Sequence, residues 1–166
     1  GLTEYASELG RKLFLAFCNQ SCEGDENMTQ QSVCVVNYLD HVGVVVGDVQ
    51  ETMQFYSDVF GISMVPIVEE PTQRVFAAVL EVGQTRIELL QATHSDSTIG
   101  RFMERHGPGL HHIAFSVKDI NETTNRLRSS GFPLTEEQPR EGITGMINFI
   151  HPKATHGVLI ELVQPK

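Results

Sequence analysis

The chain has 166 residues, 40% of them hydrophobic, with 12 Lys and Arg against 21 Asp and Glu and a formal net charge of −9. That length and apolar content suit one globular domain with a sizeable core, or two small halves fused around a shared one. The acidic balance, with no Lys/Arg cluster and no long apolar segment, argues against a nucleic-acid or membrane-surface partner and leaves small molecules as the expected ligands.

Near the N-terminus, EYASELGRKLFLAFCNQ places Tyr5, Leu9, Leu13 and Phe17 at helical spacing, which predicts an amphipathic helix. Its apolar run LFLAFC is too short for a signal peptide, follows Glu4 and Glu8 and lacks a small-residue cleavage pattern, so a cytoplasmic protein is expected. SCEGDEN reads as a linker, and Met28 directly after it is the expected natural start, with residues 1–27 as an upstream extension. Cys18, Cys22 and Cys34 are odd in number and have no partners at zinc spacing, so they are expected to be reduced thiols. Residues 1–36 are therefore assigned to an extension and linker, partly helical.

LDHVGVVV then predicts a strand, and Asp48 caps an amphipathic helix that Gly61 ends. SMVPIVEE, RVFAAVLEV and TRIELLQ predict three further strands. SDSTIGRFMERHG, residues 95–107, reads as a connecting helix with a serine or aspartate cap and apolar Ile99, Phe102 and Met103. A second strand-and-helix pair follows in GLHHIAFSVKDINETTNRLRSSGFP, capped at Asp119 and ended at Gly131. FPLTEE, MINFIHP and VLIELVQ predict its three strands.

The chain is thus written twice, as modules 37–92 and 109–166. His41 falls on His112 and Asp48 on Asp119 at an offset of 71 residues, and Glu88 falls on Glu161 at an offset of 73. Burying an ionised carboxylate among aliphatic neighbours such as Ile87 and Leu89, or Ile160 and Leu162, costs several kcal/mol unless a cation or donors compensate it. If the halves pair about an approximate twofold axis, His41, Glu88, His112 and Glu161 converge on one point. Such a mixed imidazole and carboxylate set suits cobalt, manganese, iron, nickel or zinc with positions left open for a chelating substrate. Taken singly, each of these residues reads as an ordinary core or surface residue; the repeat-equivalent coincidence of all four is what points to a metal. By strand alternation His111 should face away from His112, and His94, His106 and His156 read as ordinary loop or end residues. His151, before Pro152, either closes a turn or lines the pocket.

The motifs LDHVGVVV, TRIELLQ, GLHHIAFSVKDI, EEQPREGITG, FIHPK and GVLIELVQ, spread over residues 38–166, resemble the vicinal oxygen chelate superfamily, and within it the methylmalonyl-CoA epimerases. The resemblance implies an α+β fold in which paired βαβββ modules form a half-open mixed β-barrel with flanking helices over 37–166. It implies a divalent metal on His41, Glu88, His112 and Glu161, although the family often has glutamine at the Glu88 position. It further implies epimerisation of an acyl-CoA by α-proton transfer through a metal-stabilised enolate, with Glu161 acting as ligand and base in turn.

Epimerases of this family commonly carry a second, basic glutamate in a PEQGV-like stretch. Here Thr72 stands at that position and Arg74 replaces a glycine, while Glu69 and Glu70 read as solvated turn residues. Gln73, Arg74, His151 and Lys153 are the residues expected to hold the acyl-CoA, with Arg140 and the REGITG backbone as further donors. A homodimer is expected from the family and from the prevalence of cyclic dimers. The alternatives on this scaffold are a glyoxalase-I-like lactoylglutathione lyase, an extradiol dioxygenase, against which the fourth ligand argues, and a metal-free binding protein of the bleomycin-resistance kind.

Overall fold

In a computed structural model, which describes residues 32–166, the chain runs β1 (Tyr38–Val45), α1 (Val49–Phe60), β2 (Val68–Glu70), β3 (Val75–Val82) and β4 (Thr85–Ala92). It continues through α2 (Thr98–His106), β5 (Gly109–Ser116), α3 (Ile120–Ser129), β6 (Arg140–Glu141), β7 (Gly145–Ile150), a 3-10 turn (Pro152–Ala154) and β8 (Leu159–Pro165). The helix predicted within residues 5–17, the linker, Met28, Cys18 and Cys22 lie outside the described residues. Cys34 is a free thiol whose pKa is raised by partial burial.

The strands form one mixed sheet in the order β2-β3-β4-β1-β5-β8-β7-β6, which reads the same from either edge once the two halves are exchanged. In each half the first strand lies parallel to the last, β1 beside β4 and β5 beside β8, and the halves meet where β1 and β5 pair antiparallel. The sheet curls into a half-open barrel of two βαβββ modules. Its edges, β2 and β6, are three and two residues long, short enough to limit pairing with another chain.

Both module helices begin as the sequence predicts. Asp48 accepts the Glu51 N–H at 2.8 Å and Asp119 accepts the Glu122 N–H at 2.9 Å. Gly61 ends α1 with φ +68°, a left-handed conformation that a side chain disfavours. A second repeated device secures each helix start: Gln91 on β4 accepts the Val49 N–H at 2.9 Å, and Gln164 on β8 accepts the Ile120 N–H at 3.0 Å. The connecting helix is capped by Ser97, which accepts the Gly100 N–H.

Alternation along β4 sorts its side chains. Leu89 joins Val46, Val49, Met53, Ala78 and Leu80 in a core under α1, with Ile87 packed against it. Each fully buried leucine there stabilises the fold by about 1.5–3 kcal/mol. Glu88 and Leu90 turn to the concave side.

FPLTEE does not form the expected strand. It contributes one isolated bridge, Leu134 to Ile150, and the edge strand of the second half is β6, inside REGITG. Pro133 has no N–H to give to a ladder, which explains the interruption. In SMVPIVEE only Val68–Glu70, beyond Pro66, is a strand. Among the described residues no helix is long and apolar enough to cross a membrane.

Candidate metal centre

The two central strands each carry a bulge, and the bulges are equivalent in the repeat. Along β1 and β5 the pairs Leu39–Phe115 and His41–Ala114 leave Asp40 as the extra residue; Gly43–His112 and Val44–Leu110 leave His111 as the extra residue. A bulge breaks period-two alternation and re-aims side chains. Asp40 and His111 therefore lie beside His41 and His112 instead of on the opposite face.

His41 and His112 point their Nε2 atoms at each other across 3.1 Å. Glu88 Oε2 lies 3.6 Å from both nitrogens, and Glu161 reaches His112 at 3.2 Å and His41 at 3.9 Å. Donor atoms of His41, Glu88 and His112 lie within 4.8 Å of one another. Donors about 2.0–2.2 Å from one ion are roughly 3.0 Å apart at right angles and about 3.4 Å apart at tetrahedral corners, so these separations fit a shared cation.

The outward nitrogens agree with this. His41 Nδ1 is 2.7 Å from Asp40 Oδ2, and with Nδ1 donating to that carboxylate a neutral ring would offer its Nε2 lone pair inward. His112 Nδ1 meets His111 Nδ1 at 2.9 Å. If His112 donates there, its Nε2 is likewise free to ligate.

The four side chains are nearly inaccessible, at 0% exposure for His41, 4% for His112 and Glu161, and 6% for Glu88. Desolvation raises the Glu88 pKa against the opposing pull of His41 and Arg86. It raises that of Glu161 well above the ordinary range, with the Glu88 charge adding to it. Burial, then the neighbouring His111 and His41, lowers the His112 pKa well below its ordinary value and keeps that imidazole neutral. Two carboxylates that resist ionisation beside the neutral imidazole of His112 form a donor set that a divalent cation would satisfy.

A cavity of about 550 Å³ opens onto the centre, with Glu88, His112 and Glu161 in its wall. Gln73 and Arg74 also line it; His151 and Lys153 do not. His151 instead closes the turn after β7, where its Nδ1 accepts the Lys153 N–H at 3.1 Å. Thr72 lines the cavity, whereas Glu69 and Glu70 are absent from its wall, and Glu70 accepts the Thr72 N–H at 3.0 Å. Arg74 holds φ +57°, the left-handed region where a glycine would be unstrained, and its Nη1 reaches both Asp96 oxygens at 3.0 and 2.9 Å.

His111, expected to face away, lines the cavity, and burial lowers its pKa to about 4. Sequence reasoning also missed Asp40, Arg86 and Glu136. The pairing of Asp40–His41 with His111–His112 at equivalent repeat positions was the available signal for the first.

Residues 38–162 match the model of the Glyoxalase/Bleomycin resistance protein/Dioxygenase superfamily. Uncharacterized protein YqjC of Bacillus subtilis is 36% identical over 132 residues, covering 79% of this chain and 94% of that protein. The mitochondrial methylmalonyl-CoA epimerase of Mus musculus is 33% identical over 128 residues, covering 76% of this chain and 72% of that protein. The crystal structure of methylmalonyl-CoA epimerase from Mycobacterium tuberculosis superposes with a TM-score of 0.76 at 36% identity, over 83% of this chain and 94% of that one. With its paired βαβββ modules, the chain belongs to the Glyoxalase/Bleomycin resistance protein/Dioxygenase superfamily and is epimerase-like within it.

Proposed function

We propose that this protein is a metal-dependent epimerase of methylmalonyl-CoA or a similar 2-substituted acyl-CoA, a homodimer whose catalytic domain is residues 37–166. The observation that carries this reading is the convergence of His41, Glu88, His112 and Glu161, contributed by equivalent strands of the two modules, at the end of an open cavity. The similarity to methylmalonyl-CoA epimerases supports the acyl-CoA substrate. His41, Glu88, His112 and Glu161 would hold the ion, which is cobalt, manganese, zinc, nickel or iron on ligand chemistry alone. Bound there, it would supply Lewis-acid stabilisation of the enolate charge.

The chain's own residues do the rest. Epimerisation removes the α-proton from one face and returns one to the other. Thr72 carries no base, and Glu70 is occupied with the Thr72 N–H. The carboxylates that face the two Nε2 atoms are Glu161 and its repeat equivalent Glu88, whereas Asp40 lies behind His41 at Nδ1. Glu161 takes the proton on one face, and Glu88 serves the other. Gln73 and Arg74, at the cavity wall, contact the CoA portion.

The test is exchange and epimerisation in deuterated water by Glu88→Gln and Glu161→Gln proteins loaded with metal. Each variant is expected to exchange the α-proton of one epimer only and to lose epimerisation by at least ~100-fold. Unchanged epimerisation by either variant overturns the assignment of that base. Thr72, together with two carboxylates at the imidazole pair, also favours a second reading, a glyoxalase-I-like isomerase of hemithioacetals. Turnover of hemithioacetal but not of methylmalonyl-CoA would select it.

A further inference from the structure

The repeat makes the two ligand histidines equivalent in position, yet their surroundings differ in charge. On the first half, the bulged residue Asp40 is 2% exposed, accepts from His41 Nδ1 at 2.7 Å and is itself bound by Arg86 Nη2. Arg86 sits on β4 directly opposite His41 in the parallel register. On the second half, the bulged residue is the imidazole of His111, and the residue opposite His112 on β8 is Leu159. A chain of cation, carboxylate and imidazole thus backs one ligand. The other is backed by a second imidazole, packed edge-on against Phe102 at 4.9 Å between ring centres and facing the cavity.

We infer that Asp40 and Arg86 are positioning residues that make His41 the anchoring ligand of the centre, and that the second half, lacking such a pair, holds His112 more weakly. This rests on the metal-centre reading above. A carboxylate that accepts from Nδ1–H fixes the tautomer and ring orientation and makes Nε2 a stronger donor; a neutral imidazole fixes orientation without adding charge. Arg86 in turn binds the same Asp40 oxygen that faces His41 Nδ1 and so holds that carboxylate in place. Two equivalent bulges, filled by unlike residues, break the symmetry of the repeat where the ligands attach.

The experiment compares wild type with Asp40→Asn, Arg86→Leu and His111→Leu. The leucine at 86 copies the second half's own residue at that register. The readouts are the Co²⁺ dissociation constant by chelator competition, the visible spectrum of bound Co²⁺, and the thermal midpoint of the metal-free protein. Asp40→Asn is expected to weaken Co²⁺ binding about 10–100-fold and to alter the spectrum, as loss of a ligand's hydrogen-bond partner does elsewhere. Arg86→Leu should weaken it in the same direction by less, and His111→Leu by less than Asp40→Asn.

Wild-type affinity in folded Asp40→Asn, or a loss in His111→Leu as large as in Asp40→Asn, overturns the inference while leaving the metal centre standing. If Asp40→Asn does not fold, Arg86→Leu decides: weaker binding supports the inference and unchanged binding overturns it. Absence of Co²⁺ binding in wild type sinks the metal-centre reading, and this inference with it.

Discussion

Gly43 shows how narrowly single residues hold the centre. It lies opposite His112 across β1 and β5, and a Cβ added there would stand 2.1 Å from His112 Cε1 and 2.4 Å from Nδ1. No real Cβ contact is that close, so the imidazole must move off its position between His41 and His111. Gly43→Ala is expected to weaken Co²⁺ binding by at least about 10-fold. It should also lower stability by about 1–3 kcal/mol through overpacking. Metal titration and urea unfolding check these two effects, and a variant that binds Co²⁺ like wild type contradicts the packing account of the ring.

At the level of elements, the helix starts carry a prediction of their own. Gln91 and Gln164 each satisfy one otherwise unpaired N–H at the head of α1 or α3, from the last strand of the same module. Gln91→Ala and Gln164→Ala should each cost about 0.5–1.5 kcal/mol, the usual net worth of one hydrogen bond, measured as a shift in urea midpoint at unchanged slope. A loss in one variant only would show that the repeat is not energetically symmetric there.

The same elements mark what the sequence made legible. The aspartate caps, Gly61 and the duplicated strand-helix pattern were readable because capping chemistry and periodicity are local. The bulges were not. An extra residue in a strand leaves no mark in composition, yet it moved His111 to the cavity and brought Asp40 beside His41. FPLTEE reads as a strand by propensity and is not one, because pairing with β7 passes to Arg140–Glu141 beyond the prolines. His151 had two open readings, and the 3-10 turn at Pro152 resolved it as a cap.

Over the whole molecule, the convergence of the His41, Glu88, His112 and Glu161 side chains was legible because the repeat implies a twofold axis. Thr135 and Glu136, also in the cavity wall, come from an irregular segment whose path no periodicity specifies. The centre also sets how stability depends on pH. Because burial raises the carboxyl pKa values of Glu88 and Glu161, the metal-free folded chain keeps protons that the unfolded chain releases above about 4.5. That contribution to stability is lost as pH rises through the raised values.

His112, lowered by burial from 6.5, and His111, lowered to about 4, act in the opposite sense and cost stability as pH falls below 6.5. Above pH 6.5 the histidine contribution is complete, and the metal-free protein should lose thermal stability as pH rises toward the raised carboxyl values. Saturating Zn²⁺ or Co²⁺ should remove that loss, because the ion takes the place of the protons. Thermal unfolding at several pH values, with and without metal, checks this; a metal-free midpoint that rises over the same range contradicts it.

The most direct measurement of the central claim is α-proton exchange and epimerisation of methylmalonyl-CoA in deuterated water, by protein stripped with a chelator and then reloaded separately with cobalt, manganese and zinc. The account predicts no exchange by the stripped protein, and exchange accompanied by epimerisation once metal is restored. Metal demonstrably bound with neither exchange nor epimerisation, or equal turnover by stripped and reloaded protein, would contradict it.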